Sequence, residues 1–335
     1  GPVQGLAPTG SVRRRFLRSI VVGIPRIGES WLLPSIGAFI EKGPGWPWYR
    51  RLFARREARR IDRAIDSGAE HVCLVYDCGV NPLTYGDYLY FVMIARYLGE
   101  RGAGATLFLV DSDIYPLCRA LMSDEEIEGF LQEMVKIGSL LLPYPEVQTR
   151  RVHDLQEVMQ FVGSHKAHVV CGWRTSHRRP LFHHGFNIFN HLMSSVPNEL
   201  QDRVLLSSSD LVQVAPSVDL PSPRVAWHVR YSDKDSARNL TGEEFFGVHE
   251  ILRSRYPDHA ILIVSDEAGC QHYSELVEER ALVRTVFSKD YSHSFLGDAA
   301  LILESDLYCG FRGGGMTVVP LMSRIPYRCA VHIVH

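Results

Sequence analysis

Three short stretches in the last third of the chain carry residue types that could do chemistry together. The first is Trp227-His228-Val229-Arg230-Tyr231-Ser232-Asp233-Lys234-Asp235, where an apolar run ends and Arg230, Asp233 and Lys234 crowd its tip. A fixed guanidinium there suits a diphosphate, because it can donate two parallel hydrogen bonds to phosphate oxygens. A surface loop with self-satisfied ion pairs is the other reading. The second stretch, Ser265-Asp266-Glu267, follows the run AILIV. Its carboxylates could accept hydrogen bonds from a ribose, or cap the next helix. The third is Ser305 to Thr317, in which Gly310 precedes Phe311-Arg312 and the triple glycine Gly313-Gly314-Gly315, then Met316-Thr317. Glycines at such a turn let backbone N–H groups approach phosphate oxygens at the positive end of a helix. No lysine follows them, so this is not a phosphate loop of the Walker type, and a tight turn with no ligand is the plain alternative.

The elements that must position these stretches alternate. Val72–Tyr76 reads as a buried strand, Asp87–Leu98 as a helix stopped by Gly99 and Gly102, and Thr106–Val110 as a second strand. Ser123 and Glu126 have capping-box spacing and open a helix to about Ile137. A helix over Asp154–Val162, a strand over His168–Cys171 and a helix over Phe182–Ser195 follow. Pro216 to Pro223 (PSVDLPSP) reads as a linker. A second series begins with the strand Arg224–Val229 and a helix that the box Thr241/Glu244 opens and Tyr256 ends. Strands Ala260–Val264 and Val283–Phe287, a helix over Ser294–Glu304, a strand Leu307–Gly310 and a helix Met316–Ser323 complete it. Such alternation predicts an α/β protein of two Rossmann-like lobes facing across a cleft, with ligands beyond the carboxyl ends of the strands. All three chemical stretches then fall at one edge of one sheet.

Bulk properties agree with two soluble lobes. The chain has 335 residues, 46% hydrophobic and 22% charged, with a net charge of −2. That balance gives no global case for binding nucleic acid. Seven scattered cysteines without a CxxC pair predict reduced thiols and a cytoplasmic protein, and no apolar run has the length of a membrane span. The division read from the sequence is a tag-like remnant over 1–11, an N-terminal extension over 12–70, a first lobe over 71–215, a linker over 216–223 and a second lobe over 224–335. Arg50, Arg51, Arg55, Arg56, Arg59 and Arg60 gather on an expected helix from Trp48 to Ser67. Its basic face is read as solvated, contact with an anionic surface being the other possibility.

His228-Val229-Arg230-Tyr231-Ser232-Asp233-Lys234 resembles the HxRRxDK motif of the α1,6-fucosyltransferases and their protein O-fucosyltransferase relatives. Ser265-Asp266-Glu267 and the stretch from Ser305 to Gly310 fall where that group has its later motifs. The resemblance covers about residues 224–325. It implies the GT-B arrangement of two lobes, inverting transfer without a metal, and a nucleotide-sugar donor such as a GDP-sugar held by the second lobe, with no other cofactor. By that similarity His228 would contact the base or ribose and Arg230 the pyrophosphate. Ser265, Asp266 and the turn Gly313, Gly314, Gly315, Met316, Thr317 would complete the donor pocket. Two residues depart from the pattern: the second arginine is Tyr231, and the acid expected a few positions on falls near Arg238. Relatives of this arrangement often close with a helix that returns to the first lobe; here Tyr327–His335 is strand-like, which reads as a shortened or compact end.

Such a transfer needs a base for the acceptor's proton and cations for the departing diphosphate. Arg230, Lys234 and the amides of Gly314 and Gly315 suit the second task. Asp87, Asp77 and Asp233 are the candidate bases, although Asp87 also stands where a helix cap is wanted. The acceptor, a glycan, small molecule or protein hydroxyl, is expected against the first lobe, with Asn81, Tyr85, Trp173 and Arg174 lining its place. Asp111-Ser112-Asp113 has the spacing of a metal-binding DxD, with turn capping as its other role. His177, His183, His184 and His191 fit no common zinc spacing, so no metal is expected. Two rival readings share the architecture: a nucleotide-sugar epimerase, and a module that binds a nucleotide sugar or glycan without turning it over.

Overall fold

The structure is a computed structural model. It describes residues 46–68, 71–165, 167–171, 173–174, 179–180, 184–214, 220–232, 239–311 and 315–330. The tag-like stretch and most of the extension lie outside those residues.

Two parallel sheets organise the chain. In the first, β1 (Val72–Asp77), β2 (Ala105–Val110), β3 (Val147–Val152) and β4 (His168–Cys171) lie in the order β3-β2-β1-β4. A separate two-stranded pair, β5 (Trp173–Arg174) and β6 (Arg179–Pro180), is antiparallel. In the second sheet, β7 (Arg224–His228), β8 (Ala260–Val264), β9 (Thr285–Phe287), β10 (Leu307–Phe311) and β11 (Tyr327–Ala330) lie in the order β11-β10-β7-β8-β9. Both halves therefore run outward from their first strand to the third on one side, and place the fourth on the other. That is the doubly wound Rossmann order, and each sheet has a switch point beside its first strand, between β1 and β4 and between β7 and β10. The fold is α/β with two Rossmann-like lobes.

The helices are α1 (Trp46–Asp66), α2 (Tyr85–Glu100), α3 (Pro116–Leu121), α4 (Asp124–Leu141), α5 (Leu155–His165), α6 (His184–Ser194) and α7 (Asn198–Val204) in the first half. The second half has α8 (Gly242–Arg255), α9 (Glu267–Glu279), α10 (Phe295–Leu303) and α11 (Val318–Leu321). Capping boxes start α4 at Ser123/Glu126 and α8 at Thr241/Glu244, as the spacing predicts. Helix α2 starts earlier than its apolar period suggests. Thr84 caps it by accepting from Asp87 N, so Asp87 is a first-turn residue rather than the cap. It also runs past Gly99, whose missing side chain makes room for the Tyr144 ring; a Cβ there would come within 2.5 Å of it. The stop is at Gly102, in the left-handed region at φ 69°. Met316–Ser323 is not one helix but the 3₁₀ turn Gly315–Thr317 followed by the short α11.

Strands buried on both faces sort their side chains by parity. Cys73 and Val75 of β1, Phe108 and Val110 of β2, Val152 and Val158 form the outer layer of the first lobe. Val225, Trp227, Phe245, Ile261, Ile263 and Tyr273 form that of the second. The opposite faces, with Leu74, Tyr76, Leu107 and Leu109 from one sheet and Ala226, Leu262, Val264 and Tyr308 from the other, belong to a single apolar cluster together with α2, α4 and α10. The lobes thus share a core. At their seam the Tyr85 ring stacks on Phe130 at 4.0 Å and tilts onto Phe295 of the second lobe at 4.6 Å.

Candidate functional site

β7 ends on His228, which stands across from Val264 of β8 on one side and Gly310 of β10 on the other. It therefore occupies the switch point of the second sheet, where two neighbouring crossovers leave on opposite faces and open a crevice. His228 is buried, and its Nδ1 has no hydrogen-bond partner. Burial first, and the Arg230 charge second, push its imidazolium down to about 4, so the ring is neutral near pH 7.

The backbone beyond β7 is held by contacts the sequence does not announce. Val229 N donates to Val264 O at 3.0 Å. The Ser265 hydroxyl donates to Val229 O at 2.7 Å, and the Tyr273 hydroxyl to Arg230 O at 3.0 Å. The Asn239 side chain brackets Ser232, accepting from its N–H at 2.8 Å and donating to its carbonyl at 3.0 Å. Tyr231, which stands where the resembling motif has an arginine, lays its ring on His272 at 4.4 Å and meets Tyr273 edge-on. It packs the loop against α9. Asp266 caps α9, its Oδ1 accepting from Gly269 N at 2.8 Å. Ser265 and Asp266 thus shape the rim of the switch point by holding backbone. Thr317 is buried and Met316 half-buried in the turn that follows β10. Asp233, Lys234, Gly313 and Gly314 lie outside the described residues, as does Asp235.

The same edge carries a buried ion pair that sequence reasoning missed. Lys289, just after β9, meets Asp298, in the first turn of α10, at 2.6 Å. Burial outweighs the lysine and raises the Asp298 carboxyl to about 6. Only the fold brings these two residues together, because the intervening turn and the Ser294 cap aim both inward.

At the edge of the first sheet, Asp77 closes β1 beside its own switch point. It is buried, its Oδ1 accepts from Gly79 N at 2.9 Å, and its carbonyl accepts from Val80 N, Asn81 N and the Asn81 amide. Asp77 and Asn81 therefore build a loop. Asp87 is half-buried in the first turn of α2, two residues after Tyr85, and accepts from the Thr84 hydroxyl at 3.2 Å. Desolvation pushes the Tyr85 phenol up to about 12. Asp111 pairs with Arg151 at 2.5 Å and with His153 at 3.3 Å, while Arg151 grips both Glu128 oxygens at 2.7 Å. Those hydrogen bonds hold Glu128 down at about 2. Asp113 accepts from Ile114 N at 2.8 Å. The DxD spacing thus serves an ion pair and a turn, and no metal-holding cluster occurs among the described residues. Trp173 and Arg174 form β5; His177 and His183 lie outside the described residues, and His184 and His191 are on α6.

No protein-family model matches the sequence, and no curated protein matches it. Solved structures similar to the chain include glycosyltransferases and a putative UDP-N-acetylglucosamine 2-epimerase from Listeria monocytogenes, the last 10% identical over 78% of this chain and 79% of its own with a TM-score of 0.36. Escherichia coli heptosyltransferase WaaC with ADP is 10% identical over 77% of this chain and 86% of its own, with a TM-score of 0.46. A family 9 glycosyl transferase from Veillonella parvula is 11% identical over 78% and 80%, with a TM-score of 0.45. POFUT1 in complex with GDP is 7% identical over 78% and 98%, with a TM-score of 0.38. The class that the chain's own geometry defines is an α/β protein of two Rossmann-like lobes, with His228 at the switch point of the second sheet. No helix among the described residues is long and apolar enough to cross a membrane.

Proposed function

We infer that the chain is a glycosyltransferase that holds the nucleotide of a nucleotide-sugar donor at the carboxyl edge of its second sheet. The supporting observation is His228: a buried, neutral imidazole with an unpartnered nitrogen, seated at the switch point and flanked by a guanidinium. A buried polar atom without a partner costs free energy, on the order of 1–3 kcal/mol, unless a ligand supplies one. A ribose hydroxyl or a polar group of the base is the chemistry that would partner Nδ1, and Arg230, two residues on, is the cation proposed for the diphosphate.

The proposed reaction uses those residues. The acceptor hydroxyl oxygen attacks the anomeric carbon of the donor, whose bond to the diphosphate oxygen breaks. The nucleoside diphosphate leaves with both electrons and is steadied by Arg230 and Lys234. The acceptor's proton goes to a carboxylate of the first lobe. Asp87 suits this better than Asp77, because it is half-exposed while Asp77 is buried with one oxygen committed to Gly79. Attack from the face opposite the leaving group inverts the anomeric carbon, and the charge on the leaving group is met by side chains without a metal. The sugar is fucose or another hexose in this reading.

Calorimetric titration with GDP, UDP, dTDP, CMP and ADP, with and without magnesium, tests it. One nucleotide should bind with micromolar affinity, independently of magnesium, and Arg230→Ala should weaken it by tenfold or more, about 1.4 kcal/mol. Equal binding by Arg230→Ala, or no binding of any nucleotide by the parent, removes the donor site and the transferase reading with it.

A further inference from the structure

The charge of this chain is segregated along it. Residues 1–68 contain thirteen Arg and Lys against five Asp and Glu, a net of +8, while the rest carries −10. The structure shows what the last third of that basic stretch does with its charge. Helix α1 is 21 residues long, roughly 30 Å. Ala54, Ala58, Ile61 and Ala64 are buried at the spacing of one helical face. The helix's carboxylates turn toward the lobe: Glu57 is buried and takes Arg60, Asp62 accepts from the Tyr97 hydroxyl, and Asp66 meets Arg101. Arg55, Arg56, Arg59, Arg60 and Arg63 stay exposed. Arg55, Arg56, Arg59 and Arg63 make no ion pair with any described residue.

Local physics disfavours this arrangement. Like charges four apart, as in Arg55/Arg59, Arg56/Arg60 and Arg59/Arg63, repel. The first turn has no acidic residue to meet the helix dipole, and Arg50 and Arg51 stand near its positive end. A surface that concentrates cations against these costs fits an anionic partner that offsets them. An exposed apolar residue points to the kind of partner. Leu52 is 51% exposed at the head of the arginine face. Cations beside an exposed leucine match a layer of phosphate headgroups over hydrocarbon.

We propose that the exposed arginine face of α1 docks the protein onto an anionic phospholipid bilayer. The remainder of the molecule, at −10, is repelled by the same surface, so docking is oriented as well as attractive.

The full chain is sedimented with vesicles of phosphatidylcholine alone and of phosphatidylcholine with about 30% phosphatidylserine, at about 0.1 M salt. Binding is expected only to the anionic vesicles, and it should fall away at about 0.5 M salt. The triple variant Arg55→Gln, Arg56→Gln, Arg59→Gln should partition on the order of a hundredfold less, from the contribution of each basic residue near such a surface. The corresponding triple lysine variant should stay within about threefold of the parent. Thermal melting of both variants checks that they are folded. Equal partition of the parent to neutral and anionic vesicles overturns the proposal, as does full binding by the glutamine variant. Salt-sensitive binding to a DNA duplex with no vesicle binding overturns it too.

Discussion

The neutral imidazole at the switch point makes a measurable demand on stability. In the unfolded chain a histidine titrates near 6.5, whereas burial and Arg230 hold the His228 imidazolium at about 4 in the fold. The folded state therefore binds the proton less readily than the unfolded one. Its contribution is fully present above about pH 6.5 and is lost as the pH falls toward 4. Between pH 7 and pH 5 that loss is about 2 kcal/mol for this one residue, from the separation of the two values. The perturbation that isolates it is His228→Gln, which keeps a polar side chain but cannot titrate. Urea denaturation of the parent and the variant at pH 7 and pH 5 gives four free energies. The parent should lose about 2 kcal/mol more than the variant between the two pH values. Other titrating groups, such as His249, which burial holds at about 4, act in both proteins and cancel in the difference. A difference within about 0.5 kcal/mol of zero refutes the buried neutral ring, and so does an imidazole NMR titration of His228 centred near 6.5. A nucleotide bound at this edge should also raise the apparent stability of the parent at pH 7.

Two further predictions concern the frame that carries the site. Arg96 is a buried junction of α2, with an ion pair to Asp210 at 2.7 Å and hydrogen bonds to the carbonyls of Arg203 and Leu141; Arg96→Met leaves Asp210 without its cation and should cost about 3–5 kcal/mol in chemical denaturation, and a loss below about 1 kcal/mol contradicts that role. Gly138 of α4 faces the Thr149 and Tyr88 hydroxyls, and a Cβ there would overlap the first and lie 2.8 Å from the second; Gly138→Ala should lower stability by about 1–3 kcal/mol despite its better helix propensity, and a rise in melting temperature contradicts the packing.

Much of this fold is written locally. Fully buried strands such as Leu74 with Val75 and Ile261 with Leu262 are runs of apolar residues that only a covered parallel sheet can use, and their limits are sharp. Capping boxes at Ser123 and Thr241 set helix starts to the residue. The edge strand Val147–Val152 escapes such reading, because its sequence VQTRRV shows a half-exposed pattern and two arginines. Its identity rests on pairing with β2. The helices Pro116–Leu121 and Asn198–Val204 are too short for a period to declare itself. At the site, types and spacing point to His228 and Arg230. What distinguishes His228 is the strand order, and that order is a long-range fact no local pattern holds. Tyr273, His272 and Asn239, which hold the loop after β7, are separated from it in sequence and have no motif. The pair Lys289–Asp298 is hidden for the same reason. Asp266 and Asp113 turn out to cap or close turns, which is the commoner use of a short acid at a strand end.

The single apolar cluster that runs through both sheets bears on how the molecule can move. Many two-lobed proteins have separate cores joined by a flexible strap, so that one half swings as a rigid body while the other stays still. Here Ala226, Leu262, Leu296 and Met322 of the second half lie in the same cluster as Leu74, Leu107 and Met93 of the first. Pulling the halves apart would wet that shared interior, and neither half carries a complete hydrophobic centre of its own on that side. A shared interior of this kind favours small sliding of packed helices over a wide swing of one half. The shared cluster thus joins the sheet that carries His228 to the helix that carries Asp87.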